Sequence, residues 1–193
     1  MTFRVVTVLR SGGDYFPEYV YRLRDGVAAN LSEPHQFVCL TDVALDGVET
    51  IQLQTDWPGW WAKLEMFRLT GPCLYFDLDT IIAGNIDKLA NLCKRHHMIM
   101  LRDFNYKGKG VEGASGVMGW SGDMSYLFKR YDPQRHYRGH GDQGYIGTQC
   151  HPYYWQDLAE GAILSRKVHK NRAGARVVCY HGQPRPHQTG WEP

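Results

Sequence analysis

The sequence predicts an α/β fold, a largely parallel β-sheet with helices on its faces, in a single domain over residues 1–193. Three observations carry this expectation. Short apolar runs rich in β-branched residues alternate with segments of helical period. Their order in the first half is β-α-β-β-α-β, which requires crossovers between parallel strands. A length of 193 residues also suits one well-buried core.

Phe3–Leu9 is a buried-strand run that stops at Ser11-Gly12-Gly13. Pro17 suits the first turn of a helix reaching Leu31, with Val20, Leu23, Val27 and Leu31 on one face. Gln36–Leu40 and Val48–Leu53 read as two further strands. Trp60–Leu69 is expected to be helical, with Trp60, Leu64 and Phe67 on its buried stripe. Cys73–Phe76 is a fourth strand that runs into an acidic cluster. A short helix over Ile86–Cys93 and a strand over Met98–Leu101 follow. The second half is less periodic: a strand at Ser115–Trp120, a helix at Met124–Tyr131, a Gly-rich segment at Gly139–Gly147 suited to a short helix, and a late strand at Val177–Tyr180 before a Pro-rich tail.

Composition excludes several classes. Hydrophobic residues at 43% and charged residues at 22% are those of a folded chain. No run of about 18 apolar residues is present, so no membrane-spanning helix is expected. The five cysteines form no CxxC pair, and Cys39, Cys73 and Cys179 lie in strand-like runs. They read as buried hydrophobes in a reducing, cytoplasmic setting. The net charge of +2 hides an asymmetry: residues 1–93 carry 7 basic and 12 acidic residues, residues 94–193 carry 15 and 8. This division suits either two differently solvated surfaces or a site in which a cation and an anion are held from opposite halves.

In parallel sheets ligands bind beyond the carboxyl ends of the strands. That rule places Arg10–Asp14, Thr41-Asp42 and Asp77–Asp79 on one rim. Tyr75-Phe76-Asp77-Leu78-Asp79 is the strongest local signal. On an extended backbone the two carboxylates point the same way, and such a pair needs a cation between its members. A hard divalent ion that completes its shell with substrate phosphates is the natural occupant, and a solvated turn is the alternative. Near the end of the chain a strand delivers His181 into His181-Gly182-Gln183-Pro184-Arg185-Pro186-His187. His181 reads either as a metal ligand or as a surface side chain in a turn, and the Arg185 fork suits a diphosphate. Asp142 reads either as a catalytic carboxylate or as a helix cap. Trp57, Trp60 and Trp61 offer an acceptor platform or core packing, with core packing expected for at least one of them.

Four of these segments together resemble the GT-A fold glycosyltransferases, nearest in pattern to the glycogenin-like family 8 and to its compact bacterial and phage types. Leu74–Asp79 resembles the metal-binding Asp-x-Asp after a strand, and Gly113–Trp120 the stretch lining the donor sugar. Gly141–Ile146 resembles the Asp-Gln segment that contacts the sugar, and His181–His187 the late His with Gly-x-x-Lys-Pro. The departures are Gly182 directly after His181, Arg185 where Lys is usual, and His187 where Trp is usual. The chain is also short for the family, with little left for an acceptor-binding extension.

The resemblance implies a Rossmann-like mixed sheet flanked by helices and a nucleotide-sugar donor, of which a UDP-sugar is the expected form. It implies retention at the transferred carbon. Asp77, Asp79 and His181 would hold Mn²⁺ or Mg²⁺, with Asp77 also near the ribose. Asp142 and Gln143 would contact the transferred sugar, and Arg185 would steady the departing diphosphate. Leu9, Arg10 and Ser11 would line the base and ribose, Lys63 would reach the nucleotide or sugar, and Ser115 and Gly116 would line the donor. The acceptor is left open among a glycan, a lipid-linked sugar and a modified DNA base. Two other classes compete: a nucleotidyltransferase on a related fold, and a non-catalytic carbohydrate- or nucleic-acid-binding module.

Overall fold

A computed structural model describes residues 2–135 and 141–193. The first unit is β1 (Phe3–Leu9), α1 (Pro17–Asn30), β2 (His35–Thr41) and β3 (Glu49–Gln52). A ten-residue 3-10 segment, Gly59–Arg68, leads to β4 (Cys73–Phe76) and β5 (Thr80–Ile82). Next come α2 (Asp87–Cys93), β6 (Met98–Arg102), β7 (Gly113–Trp120), α3 (Tyr126–Lys129) and α4 (Gly141–Gln149). The chain closes through β8 (Tyr153–Tyr154), α5 (Trp155–Leu158), β9 (Ile163–Ser165), β10 (Val177–Cys179) and a 3-10 turn at Pro186–Thr189. The predicted Gly139–Gly147 helix is observed from Gly141, and its first two residues lie outside the described residues.

The main sheet has the order β3-β2-β1-β4-β7-β6-β8. Strands β3, β2, β1 and β4 are mutually parallel, whereas β7 runs antiparallel to both β4 and β6. The sheet is therefore mixed, and β6 points the same way as β4. Alternation along the strands sends side chains to two cores. Val5 and Leu9 of β1 and Leu74 and Phe76 of β4 meet Tyr19, Val20, Leu23 and Val27 of α1, so the predicted α1 stripe is the buried one. Val6, Cys73 and Tyr75 face Leu64, Met66 and Phe67 of the 3-10 segment on the other side. Burial of each such large apolar side chain contributes about 1.5–3 kcal/mol.

The Trp60–Leu69 prediction is corrected here. The segment winds with three residues per turn, so Leu64 and Phe67 are buried while Trp60 is 60% exposed. Glu65 is fully buried beneath this segment and ties it to β3's exit. It accepts hydrogen bonds from the Gln54 and Thr55 backbone N–H groups at 2.7 and 2.8 Å, and it pairs with Arg68 at 2.6 Å.

A second, three-stranded sheet, β5-β10-β9, was not anticipated. Strand β10 lies between β5, antiparallel, and β9, parallel, with Cys179 opposite both Thr80 and Ser165. Its register sets Tyr180 and His181 beside the acidic turn, where the Tyr180 N–H donates to the Asp79 carbonyl at 2.9 Å. The residues after it are pinned to α1. Tyr19 hydrogen-bonds His187 and meets the Trp191 ring edge-on at 4.7 Å, with Arg22 over the same indole. All five cysteines are free and buried. Among the described residues no helix is long and apolar enough to cross a membrane.

Candidate functional site

Strands β2, β1, β4 and β6 end on one edge of the main sheet, where β7 begins. The loops leaving them wall a cavity of about 830 Å³. Arg10, Ser11, Lys63, Asp77, Asp79, Ser115, Gly116, Asp142, Gln143, His181 and Arg185 all line it, drawn together from stretches as far apart as the first and tenth strands. Leu9 does not. Its side chain is 1% exposed in the core against α1, and strand alternation gives Val8 the cavity position instead.

The two carboxylates of the acidic motif face the cavity for a different reason from the one the sequence offers. Strand β4 ends at Phe76, and Asp77-Leu78-Asp79 forms a turn closed by the Thr80 N–H on the Asp77 carbonyl at 3.1 Å. The Asp77 N–H is held by the Gly116 carbonyl of β7 at 2.8 Å. Asp77 Oδ1 accepts a hydrogen bond from the Tyr75 hydroxyl at 2.5 Å and pairs with Lys63 Nζ at 2.8 Å. Its Oδ2 has no hydrogen bond among the described residues. Asp79 is 6% exposed, and its Oδ2 receives both the Tyr15 hydroxyl at 2.7 Å and Arg185 Nη1 at 2.8 Å. Burial and then repulsion from Asp77 push the Asp79 carboxyl up to about 7, against the lowering pull of Tyr15, Arg185 and Lys63.

Lys63 is the buried hub. Its ammonium lies 2.8 Å from Asp77, 3.2 Å from Asp142 Oδ2 and 3.1 Å from the Ser115 hydroxyl. Burial alone would lower its pKa, but the two carboxylates outweigh that and hold it above the ordinary lysine value. Asp142 sits in the first turn of α4 and is 5% exposed. Its Oδ2 makes no hydrogen bond, so the ion pair with Lys63 is all that this oxygen has from the protein. The ammonium offsets much of the cost of burying this carboxylate.

Arg185 reaches across the molecule. Nη1 contacts Asp79 and the Tyr15 hydroxyl at 2.6 Å, while Nη2 contacts Asp14 at 2.8 Å. Its backbone N–H is held by Gln188 Oε1 at 2.6 Å in the closing 3-10 turn. Tyr15 and Ser165 were not singled out in the sequence, Asp14 was named only as the end of the Arg10–Asp14 rim stretch, and Tyr75 only as part of the acidic motif. Tyr15 directly follows that rim stretch, which was the available signal. Ser165 had none: it comes to His181 only through the β9–β10 pairing, with Oγ 2.6 Å from His181 Nε2. At the β1–β2 end of the rim Ser11 donates twice to Asp42, at 2.8 and 2.7 Å, and Arg10 donates to the Thr55 carbonyl at 2.6 Å.

The donor set matches a hard divalent cation in kind. Asp77 Oδ2 and Asp79 Oδ1 have no protein donor among the described residues, and burial plus mutual repulsion of the two carboxylates favours a positive charge between them. His181 is a neutral imidazole by tendency, since burial and then Lys167 lower its pKa, and its Nδ1 has no partner among the described residues. As the side chains stand, no three His, Cys, Asp or Glu residues among the described ones are close enough to form a ready-made ligand group. The three predicted ligands therefore share a cavity without yet sharing a point.

No protein-family model and no curated protein matches the chain. Solved structures do. The crystal structure of the glycosyltransferase GlyE from Streptococcus pneumoniae TIGR4 aligns with a TM-score of 0.63 at 14% identity, covering 96% of this chain and 56% of that one. The galactosyltransferase LgtC, in complex with donor and acceptor sugar analogues, aligns with a TM-score of 0.63 at 12% identity, covering 95% of this chain and 88% of that one. The chain has the GT-A glycosyltransferase fold. It spans just over half the length of GlyE. In this GT-A fold the cavity lies at the carboxyl edge of the parallel strands, where α/β sheets bind ligands.

Proposed function

We propose that the protein is a glycosyltransferase that moves a sugar from a nucleoside-diphosphate sugar, of which a UDP-sugar is the expected form, to a hydroxyl acceptor. The observation that carries this reading is the convergence of Asp77, Asp79, Lys63, Asp142, Gln143, His181 and Arg185 on one cavity of about 830 Å³, large enough for a nucleotide sugar. Its polarity is divided as the chemistry requires. A cationic fork at Arg185 suits the diphosphate, and a buried carboxylate at Asp142 suits the sugar.

Departure of a nucleoside diphosphate leaves growing negative charge on the β-phosphate while positive charge builds on the anomeric carbon. The Arg185 fork lines the cavity with Nη1 on Asp79 and Tyr15 and Nη2 on Asp14, so it sets a fixed positive charge where a diphosphate would lie. Tyr15 and Asp14 hold that fork in place before the substrate arrives, so little reorganisation is needed. Asp142 Oδ2 is positioned to accept from a sugar hydroxyl or to stabilise an oxocarbenium-like centre. Lys63 holds Asp142 in place while itself fixed by Asp77 and Ser115. Gln143 adds an amide beside it.

A divalent cation, Mn²⁺ or Mg²⁺, would be held by Asp77 and Asp79, with His181 Nδ1 as a third donor. When bound it supplies charge neutralisation at the diphosphate. Retention is the stereochemical outcome that accompanies the family resemblance.

The test is calorimetric titration of UDP with and without Mn²⁺, followed by hydrolysis of a panel of UDP-sugars with the anomer of the first-formed sugar read by NMR. UDP binding that needs the cation, together with metal-dependent hydrolysis, is the expected result. Nucleoside-triphosphate turnover without UDP binding would replace the reading with nucleotidyl transfer. Undiminished hydrolysis in excess EDTA would remove the metal from it.

A further inference from the structure

We infer that Trp60 is the stacking surface for a neutral pyranose ring of the acceptor, at the solvent side of the cavity. This rests on the transferase reading above and adds to it the class of acceptor. The three tryptophans of Asp56-Trp57-Pro58-Gly59-Trp60-Trp61 have different fates. Trp57 meets the Tyr131 ring edge-on at 4.6 Å and packs on Phe128, and Trp61 stacks on Tyr131 at 4.6 Å. Both pack against the core on the 3-10 side of the sheet. Trp60 is 60% exposed and is absent from both main cores.

A single exposed aromatic is ordinary, so exposure alone decides nothing. The seat of the ring decides more. The segment turns at Gly59, in the left-handed region with φ 55°, and brings the indole onto the backbone of Gly141, itself at φ 57°. A β-carbon at Gly141 would stand 2.5 Å from Trp60 Nε1 and 2.9 Å from its Cδ1, so the ring edge rests where only glycine leaves room. The residue directly after that glycine is Asp142 and the next is Gln143, and both line the cavity with Trp60. The indole is therefore fixed above the polar floor that suits the transferred sugar.

Two further points set the occupant. The polar groups suited to the donor sugar, Lys63, Ser115 and Asp142, are buried, whereas Trp60 faces solvent, so a ring stacked on it enters from outside. The C–H face of a pyranose matches an aromatic surface, and hydroxyls at the ring edge match a carboxylate acceptor. Asp56 is exposed and lines the cavity beside Trp60, which supplies such an acceptor and disfavours an acidic sugar.

The experiment is ¹⁹F NMR of the full chain labelled with 5-fluorotryptophan, the Trp60 resonance being assigned with Trp60→Phe. The protein is titrated with UDP and then with maltose, cellobiose and lactose as neutral disaccharide probes. A saturable shift of the Trp60 resonance with at least one disaccharide is expected, together with a tenfold or larger loss of that sugar's affinity in Trp60→Ala. No shift with any of the three sugars overturns the inference. A shift produced by UDP alone, with no further change on adding sugar, also overturns it, because the ring would then be stacking on the base. Equal sugar affinity in Trp60→Ala and wild type does the same. Failure of UDP to bind would sink the nucleotide-sugar reading instead, and it is read in the same titration independently of the sugar response.

Discussion

The two sheets contribute opposite things to one cavity. The seven-stranded sheet supplies carboxylates at strand ends, Asp77 directly and Asp79 just beyond it, neutralised from within by Lys63. The three-stranded sheet begins at Thr80, directly after Asp79, and its strands β9 and β10 add no carboxylate there. It carries His181 and then Arg185 across the gap to Asp79. The acidic first half and basic second half of the chain thus meet at identifiable contacts, and the charge asymmetry is in part a division of labour within one site. The acidic cluster at the large sheet is offset by a buried ammonium from the 3-10 segment packed on it, while the smaller sheet acts as a strap that brings positive charge from the other side.

That contrast can be broken at four places. Lys63→Met has the largest expected effect: it leaves Asp77 and Asp142 facing each other without their shared cation, which costs about 3–5 kcal/mol by the general behaviour of broken buried pairs. Urea denaturation reads it, and Lys63→Arg should restore part of the loss. Asp79→Asn should lower donor turnover by about 10²–10³-fold, the scale of removing one preorganised charge-stabilising group, with a smaller loss of melting temperature than Lys63→Met because the amide oxygen can still accept from Tyr15 and Arg185. An equal loss of stability and activity would mean that Asp79 serves the strap and not the reaction.

Glu65→Gln touches only the large-sheet side. It should cost about 1–3 kcal/mol, since each carboxylate oxygen accepts two of the four inward donors and the amide N–H₂ would replace one of these acceptors. The same carboxyl is held below its ordinary value by hydrogen bonds from Thr55 and Gln54 and by Arg68, against the raising effect of burial. Its folded-state pKa is depressed, so its stabilisation is present above the unfolded value of about 4.3 and fades as pH falls through the lower folded value. Wild type should accordingly lose stability in acid more steeply than Glu65→Gln. Asp14→Ala is the smallest change: its carboxylate is mostly exposed, and the pair with Arg185 is worth about 0–1 kcal/mol at the surface, detectable as a small drop in melting temperature that salt reduces.

The large sheet was legible because its signals are dense. Cys73–Phe76 is four buried residues in a row followed by carboxylates, and α1 shows its stripe from Val20 to Leu31. The small sheet was not, because Thr80–Ile82 and Ile163–Ser165 are three residues each, too short for any period to show, and the pairing of β5 with β10 spans nearly a hundred residues. The site divides in the same way. Asp77 and Asp79 follow from strand and charge, whereas Lys63 and Asp142 entered through the family resemblance, because nothing local marks a lysine destined for burial. Trp60 was expected on a buried stripe because three- and four-residue spacings coincide over so short a segment. The 3-10 winding separated them.

Three of the five buried thiols give these two sheets separate clocks. Cys39 and Cys73 sit in central strands of the large sheet and Cys179 in the middle strand of the small one, where burial holds the first two near 12 and Cys179 higher still, leaving almost no reactive thiolate while folded. A thiol reagent can therefore capture each of these three cysteines only when its own sheet opens. If the strap parts before the large sheet, Cys179 will be modified ahead of Cys39 and Cys73, and the interval between those events measures how much more often the arginine-bearing side lets go.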